Sequence, residues 1–149
     1  MTFQSLEQKK RIQKYKATSQ EIANRLKLAR RDLAAARKTL DTDHDWAFSM
    51  AYNAALQAAR ALVLAKGYRL RGAEQHGTAV EFCRLALGRE SGADVDRFDQ
   101  MRRKRHKVIY DEAGLVSKRE AEDAITFAEH FVEKLRETVT SQPGLELPA

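Results

Sequence analysis

The stretch Ile22–Leu40, IANRLKLARRDLAAARKTL, sets Ile22, Leu26, Ala29, Leu33, Ala36 and Leu40 at alternating steps of four and three residues. This spacing is the seam of an α-helix lying nearly parallel to a neighbour. Thr18 with Glu21 just before it fits a capping box, in which a hydroxyl and a side chain three residues on satisfy free backbone N–H groups. Such a helix must be covered by others, so the neighbouring segments decide whether a bundle is possible.

They supply the partners. DTDHD (Asp41–Asp45) ends this helix and opens the next, with carboxylates where the positive end of a helix dipole favours them. Capping is the preferred reading of Asp41, Asp43, His44 and Asp45 over a metal set. A third helix is expected from Trp46 to Lys66, stopped by Gly67. Ala47, Ala51, Ala54, Ala58, Ala61 and Ala65 form one of its seams; Phe48, Tyr52, Ala55, Ala59 and Val63 form another. A helix apolar on two sides belongs at the centre of a bundle. Its polar stripe, Ser49, Asn53, Gln57 and Arg60, either meets water or lines a cleft.

After a loop, YRLRGAEQHG, a short helix should run from Thr78 to Leu87 and end at Gly88, with Val80, Cys83 and Leu87 inward. His76 reads as a loop or capping residue, and Cys83 as a small core residue. A fifth helix is expected from Asp94 to Tyr110. Ser117 with Glu120 caps a last, strongly amphipathic helix carrying Ala121, Ala124, Ile125, Ala128, Phe131, Val132, Leu135 and Val139. At the other end, Ser5 with Gln8 suggests a basic first helix to about Lys16. The expected organisation is a basic N-terminal helix (1–17), a bundle (18–140) and a loose tail, SQPGLELPA (141–149). The fold class is all-α, an up-and-down bundle of about four core helices with added N-terminal and short helices, and no sheet.

Composition agrees with that. The 149 residues are one domain's worth, with seven Gly and two Pro. One cysteine rules out an internal disulfide framework and suits a reducing compartment, so a cytoplasmic location is expected. The N-terminus is polar, without the apolar run of a secretion signal, and no membrane partner is expected. A net charge of +6 favours an anionic partner. No cofactor or metal motif stands out.

The charge is concentrated in RRKRHKVIYDEAG (Arg102–Gly114), five Lys or Arg in its first six residues. On a helical wheel Val95, Phe98, Met101, Val108 and Ile109 share one face, and Arg105 falls in its middle. A guanidinium on an apolar stripe must be paired, aimed into a cleft or placed at an interface, because burying it alone is prohibitive. Arg102, His106 and Tyr110 follow one another at four-residue steps along the adjacent edge, while Arg103, Lys104 and Lys107 point to solvent. The inward group suits phosphodiesters: Arg forks onto two phosphate oxygens, His titrates near neutrality and a tyrosine hydroxyl donates to phosphate or ribose. RNA brings its own nucleophile, the 2′-hydroxyl, so acid–base help and charge stabilisation suffice for cleavage. The alternative is that Arg105 bonds Asp99 or Asp45 and Tyr110 caps the core.

AYNAALQAARALVLAKGYR (51–69) and FDQMRRKRHKVIYDE (98–112), within about Ala29–Leu135, resemble the HEPN domain superfamily of prokaryotic toxin–antitoxin and defence modules. The family motif is Arg, a polar residue, three variable residues and His. It aligns on Arg105, His106, Lys107, Val108, Ile109 and Tyr110, so Tyr110 stands where the family has its catalytic His. The resemblance implies a homodimer whose two motifs meet in a metal-independent ribonuclease site. Arg105 would clamp phosphate, His106 would be the proton-transfer group and Tyr110 would occupy the place of the missing His. Arg102, Asn53 and Arg60 are further candidates for nucleic-acid binding. Some family toxins are adenylylated on a tyrosine two positions beyond the His, where this chain has Glu112. A non-catalytic module that binds a nucleotide, a cognate antitoxin or a partner nucleotidyltransferase is therefore the second reading. A structural bundle and a DNA-binding helix-turn-helix rank behind it.

Overall fold

The computed structural model describes residues 1–148; Ala149, the end of the expected tail, lies outside them. In chain order the elements are α1 (Phe3–Gln8), β1 (Ile12–Lys14), α2 (Ser19–Thr39), α3 (His44–Ala65), β2 (Tyr68–Leu70), α4 (Gln75–Leu87), α5 (Gly92–Tyr110) and α6 (Lys118–Thr140), with a 3-10 turn at Arg89–Ser91. The architecture is an all-α bundle. Its spine is α3, packed chiefly between α2 and α6, with α4 and α5 against its remaining surface. The alanine seams explain this arrangement: nine of the buried α3 positions carry nothing larger than Ala or Ser, so neighbouring helices approach its backbone closely. Phe98, Phe131, Tyr52 and Phe82 fill the wider gaps and are fully buried.

The helix starts are set locally. Thr18 with Glu21 and Ser117 with Glu120 form the expected capping boxes. Asp43 caps α3 by accepting from the Trp46 amide at 3.0 Å. Asp45 accepts from the amides of Gly114 and Val116, at 2.7 and 3.3 Å, and so holds the α5–α6 connection against the start of α3.

Three expectations need correction. The N-terminal segment is not one basic helix: α1 is capped by Thr2 with Ser5 rather than by Ser5 with Gln8, and it stops at Gln8. Lys10 then turns in the left-handed region (φ 58°) and the chain enters β1. Second, a small sheet exists. β1 pairs antiparallel with β2, Ile12 opposite Leu70 and Lys14 opposite Tyr68, inside what reads as a loop. Burial of Leu6 and Ile12 outweighs the helical preference of the lysine-rich run between them. Arg11 fastens this ribbon to α4, donating to Thr78 Oγ1 at 3.0 Å and pairing with Glu81 at 2.5 Å. Gly72 is required after β2: its φ is +77°, and a Cβ there would meet the Lys10 carbonyl oxygen at 3.2 Å. Third, the polar stripe of α3 is closed over by α2. Asn53 donates to the buried Asp32 at 2.8 Å, Gln57 accepts from Arg25 at 2.9 Å, and Ser49 is buried without a hydrogen-bond partner. Only Arg60, at the end of the stripe, reaches a cleft.

Beyond α6 the described residues form no regular structure, but Leu145 and Leu147 pack against the core and Gln142 donates to the Ala65 carbonyl. Among the described residues no helix is long and apolar enough to cross a membrane.

Candidate functional site

Helix α5 changes character along its length. Val95, Phe98 and Met101 are buried against the spine, as the wheel predicts, whereas Val108 and Ile109 are only partly covered. Arg105 lies between these groups. Its guanidinium carbon sits 5.7 Å from the centre of the Tyr52 ring, and its Nε is buried without a hydrogen-bond partner. Neither carboxylate that could have neutralised it does so. Asp99 is taken by Arg102 at 2.8 Å and Arg103 at 3.0 Å, and Asp45 by the two loop amides. Tyr110 does not cap the core either; it is 68% exposed.

Beneath Arg105, Tyr52 is fully buried in α3 and its hydroxyl lies 3.0 Å from Nδ1 of His76, with the two rings stacked at 5.8 Å. A buried phenol needs a polar partner, and His76, in the first turn of α4, supplies it. Burial first, and then the charges of Arg105, Arg60 and Arg102, holds the His76 pKa below its ordinary 6.5. The imidazole is therefore neutral at neutral pH. Burial likewise raises the Tyr52 hydroxyl well above its usual range, against the pull of the same three arginines. With Nδ1 committed to Tyr52, Nε2 is the nitrogen open to a ligand. Arg60 is partly buried, and burial followed by repulsion from Arg25 lowers its pKa.

The sequence candidates thus fall into three groups. Arg105, Arg102 and Arg60 gather around the Tyr52–His76 pair. His106 and Tyr110 lie against each other with their rings tilted at 45°, 4.9 Å between ring centres, at the exposed end of α5. Asn53 is turned to Asp32 on the α2 side. Sequence reasoning missed His76 and Tyr52 as functional groups. The available signal was Tyr52 itself, a hydroxyl in an otherwise apolar seam that has to find a partner when buried.

Chemically, the centre offers a guanidinium with an unsatisfied donor, two further arginines and a neutral imidazole whose tautomer is tied to a phenol. Such a set has the chemistry to bind a phosphate, and to accept a proton beside it at Nε2 when Nδ1 carries the imidazole proton. Among the described residues no three His, Cys, Asp or Glu side chains converge as metal ligands.

The model of the HEPN domain family matches residues 22–138. The chain therefore belongs to the HEPN domain family, whose functions concern nucleotides and RNA. No curated protein matches the chain significantly. The matched span holds every group of the centre, whereas α1 and β1 lie outside it.

Proposed function

We propose that this HEPN protein binds RNA through Arg105, Arg102 and Arg60 and cleaves it by attack of the 2′-hydroxyl, as a homodimer in a toxin–antitoxin or defence module. The observation that carries the reading is the Arg105 guanidinium: its Nε is buried and unpaired, while both nearby candidate carboxylates are engaged elsewhere. An unmatched donor of this kind is stabilised when a phosphate oxygen arrives. With Nδ1–H donated to the Tyr52 oxygen, His76 Nε2 is bare and takes the 2′-hydroxyl proton, which its lowered pKa permits at neutral pH. As the 2′-oxygen bonds to phosphorus the bond to the 5′-oxygen breaks, that oxygen receives the proton back from His76, and Arg105 offsets the charge that develops on phosphorus-bound oxygen. Supporting the dimer, Trp46 at the start of α3 and Tyr110 at the end of α5 leave 55% and 68% of their surfaces exposed.

This moves the proton-transfer role from His106 to His76. The test is cleavage and binding of labelled structured RNA in EDTA by the wild type and by Arg105→Ala, His76→Ala, His106→Ala and Tyr110→Phe. Arg105→Ala should lose binding, and His76→Ala should bind without cleaving. Loss of cleavage in His106→Ala, with His76→Ala active, would return catalysis to the exposed pair. Unchanged binding by folded Arg105→Ala would refute the site. A second reading, a non-catalytic module engaged by a nucleotide or a partner nucleotidyltransferase, draws on the exposure of the Tyr110 hydroxyl end. It predicts binding with no turnover in any variant.

A further inference from the structure

A cleft of about 520 Å³ opens beside the centre, between α2, α3 and the β1–β2 ribbon. Its rim carries Arg25, Arg60 and Arg69, and none of the three makes a salt bridge among the described residues. Arg25 uses one nitrogen, Nη1, on Gln57 Oε1; Arg69 puts Nε and Nη2 on Gln13 Oε1 and lies 5.1 Å from the centre of the Tyr15 ring; Arg60 donates to no group among the described residues. The one acid of the rim, Glu21, is occupied by the Tyr15 hydroxyl at 2.7 Å and by the Thr18 amide at 3.1 Å. Three arginines against one engaged carboxylate leave a net positive cleft. Leu28, Val63, Leu64 and Leu70 supply the apolar part of its lining.

The cleft and the centre share a wall. Arg60 lines the cleft and also acts on His76, and the consecutive residues Gln75 and His76 face the cleft and the centre respectively. A ligand running from one to the other therefore passes the start of α4 without leaving positive charge. Unpaired arginines beside apolar side chains fit a nucleotide unit, the base against the apolar groups and the phosphate on the guanidinium groups.

We infer that this cleft is a second RNA subsite, holding a nucleotide of the same strand that flanks the phosphate bound at Arg105. The inference rests on the RNA-binding reading and adds to it the substrate's length and single-stranded character. Of the residues that line the subsite, Tyr15 and Glu21 lie outside the family-matched segment.

The test measures binding of fluorescein-labelled single-stranded oligoribonucleotides, two and eight nucleotides long, to the full chain over a range of salt concentrations. The proteins compared are the wild type, Arg25→Gln/Arg69→Gln, Arg25→Lys/Arg69→Lys and Arg105→Ala. The Gln pair should weaken binding of the eight-nucleotide strand roughly tenfold or more while leaving the dinucleotide unchanged. The slope of log affinity against log salt should become shallower by about 1.4, two phosphate contacts at roughly 0.7 each for single strands. The Lys pair, which keeps the charges, should retain the wild-type slope. If the Gln pair binds both lengths like the wild type while Arg105→Ala loses them, the second subsite is wrong and the central site stands. An equal loss at both lengths would also overturn it, since that marks a general structural effect. If the wild type binds neither strand, the RNA reading itself fails and the subsite fails with it.

Discussion

The two halves of α5 are built from the same backbone and obey opposite rules. From Gly92 to Met101 the helix buries Val95, Phe98 and Met101 and has its acids paired, as Arg84–Asp96 at 2.9 Å, Lys134–Asp94 at 2.8 Å and Arg102–Asp99 at 2.8 Å. From Arg102 to Tyr110 it carries a cation in the middle of the same face, over a phenol, and ends with an aromatic ring in solvent. The first half lowers the free energy of the folded chain; the second keeps it higher than packing alone requires. A departure from packing that stands next to a depressed imidazole is what a binding site looks like before its ligand arrives.

The sharpest way to break this contrast is to remove a residue from each half. Phe98 meets Tyr52 and Phe131, at 5.7 and 5.2 Å between ring centres, so Phe98→Ala should cost about 3–5 kcal/mol in denaturant unfolding. Arg105→Ala should leave stability within about 1 kcal/mol of the wild type, because the lost contacts are offset by removal of an unsatisfied donor. The same change should lower RNA affinity at least tenfold, measured by anisotropy. A destabilisation of Arg105→Ala as large as that of Phe98→Ala would mean that the second half of α5 is ordinary core.

His76 allows a test by pH. The folded protein holds its pKa below 6.5, so the unfolded chain binds more protons as pH falls through that value. Its contribution to stability is therefore complete above the ordinary value and declines on acidification, until the folded pKa is passed. The acid limb of a melting-temperature profile should flatten in His76→Gln relative to the wild type. A smaller effect is expected at Arg103, which is exposed on the solvent side of α5 and shares Asp99 with Arg102. Arg103→Ala should change stability by no more than about 0.5 kcal/mol and leave cleavage intact. Cys83 should show none: it is fully buried, its thiol pushed up to about 12, so a thiol reagent should label it only after denaturation.

How much of this was legible depended on whether the cause was local. The seam of α2 is written at steps of three and four, and its capping box is a three-residue signal, so both could be read directly. Arg105 was also legible as an anomaly, since its place on an apolar face needs only the helical period. What surrounds it was not. Tyr52 and His76 are 24 positions apart, and only the packing of α4 on α3 makes them neighbours. Asp99 and Asp45 were reasonable partners for Arg105 by type; other groups nearer in space took them. The ribbon was hidden for a similar reason, because two three-residue strands carry no periodicity of their own and gain their pairing from burial of Ile12.

The ribbon also sets an order of events in time. Gln13 and Arg69 face each other across 56 positions, and the chain between them comprises all of α2 and α3. Closing a loop of that length costs too much entropy to precede the helices it spans, so the two strands should join after α2 and α3 have docked. The arginine-rimmed cleft is then a product of the last folding steps. A chain emerging from the ribosome, or one partly unfolded, can hold a paired bundle while it still lacks the surface that would grip a long RNA.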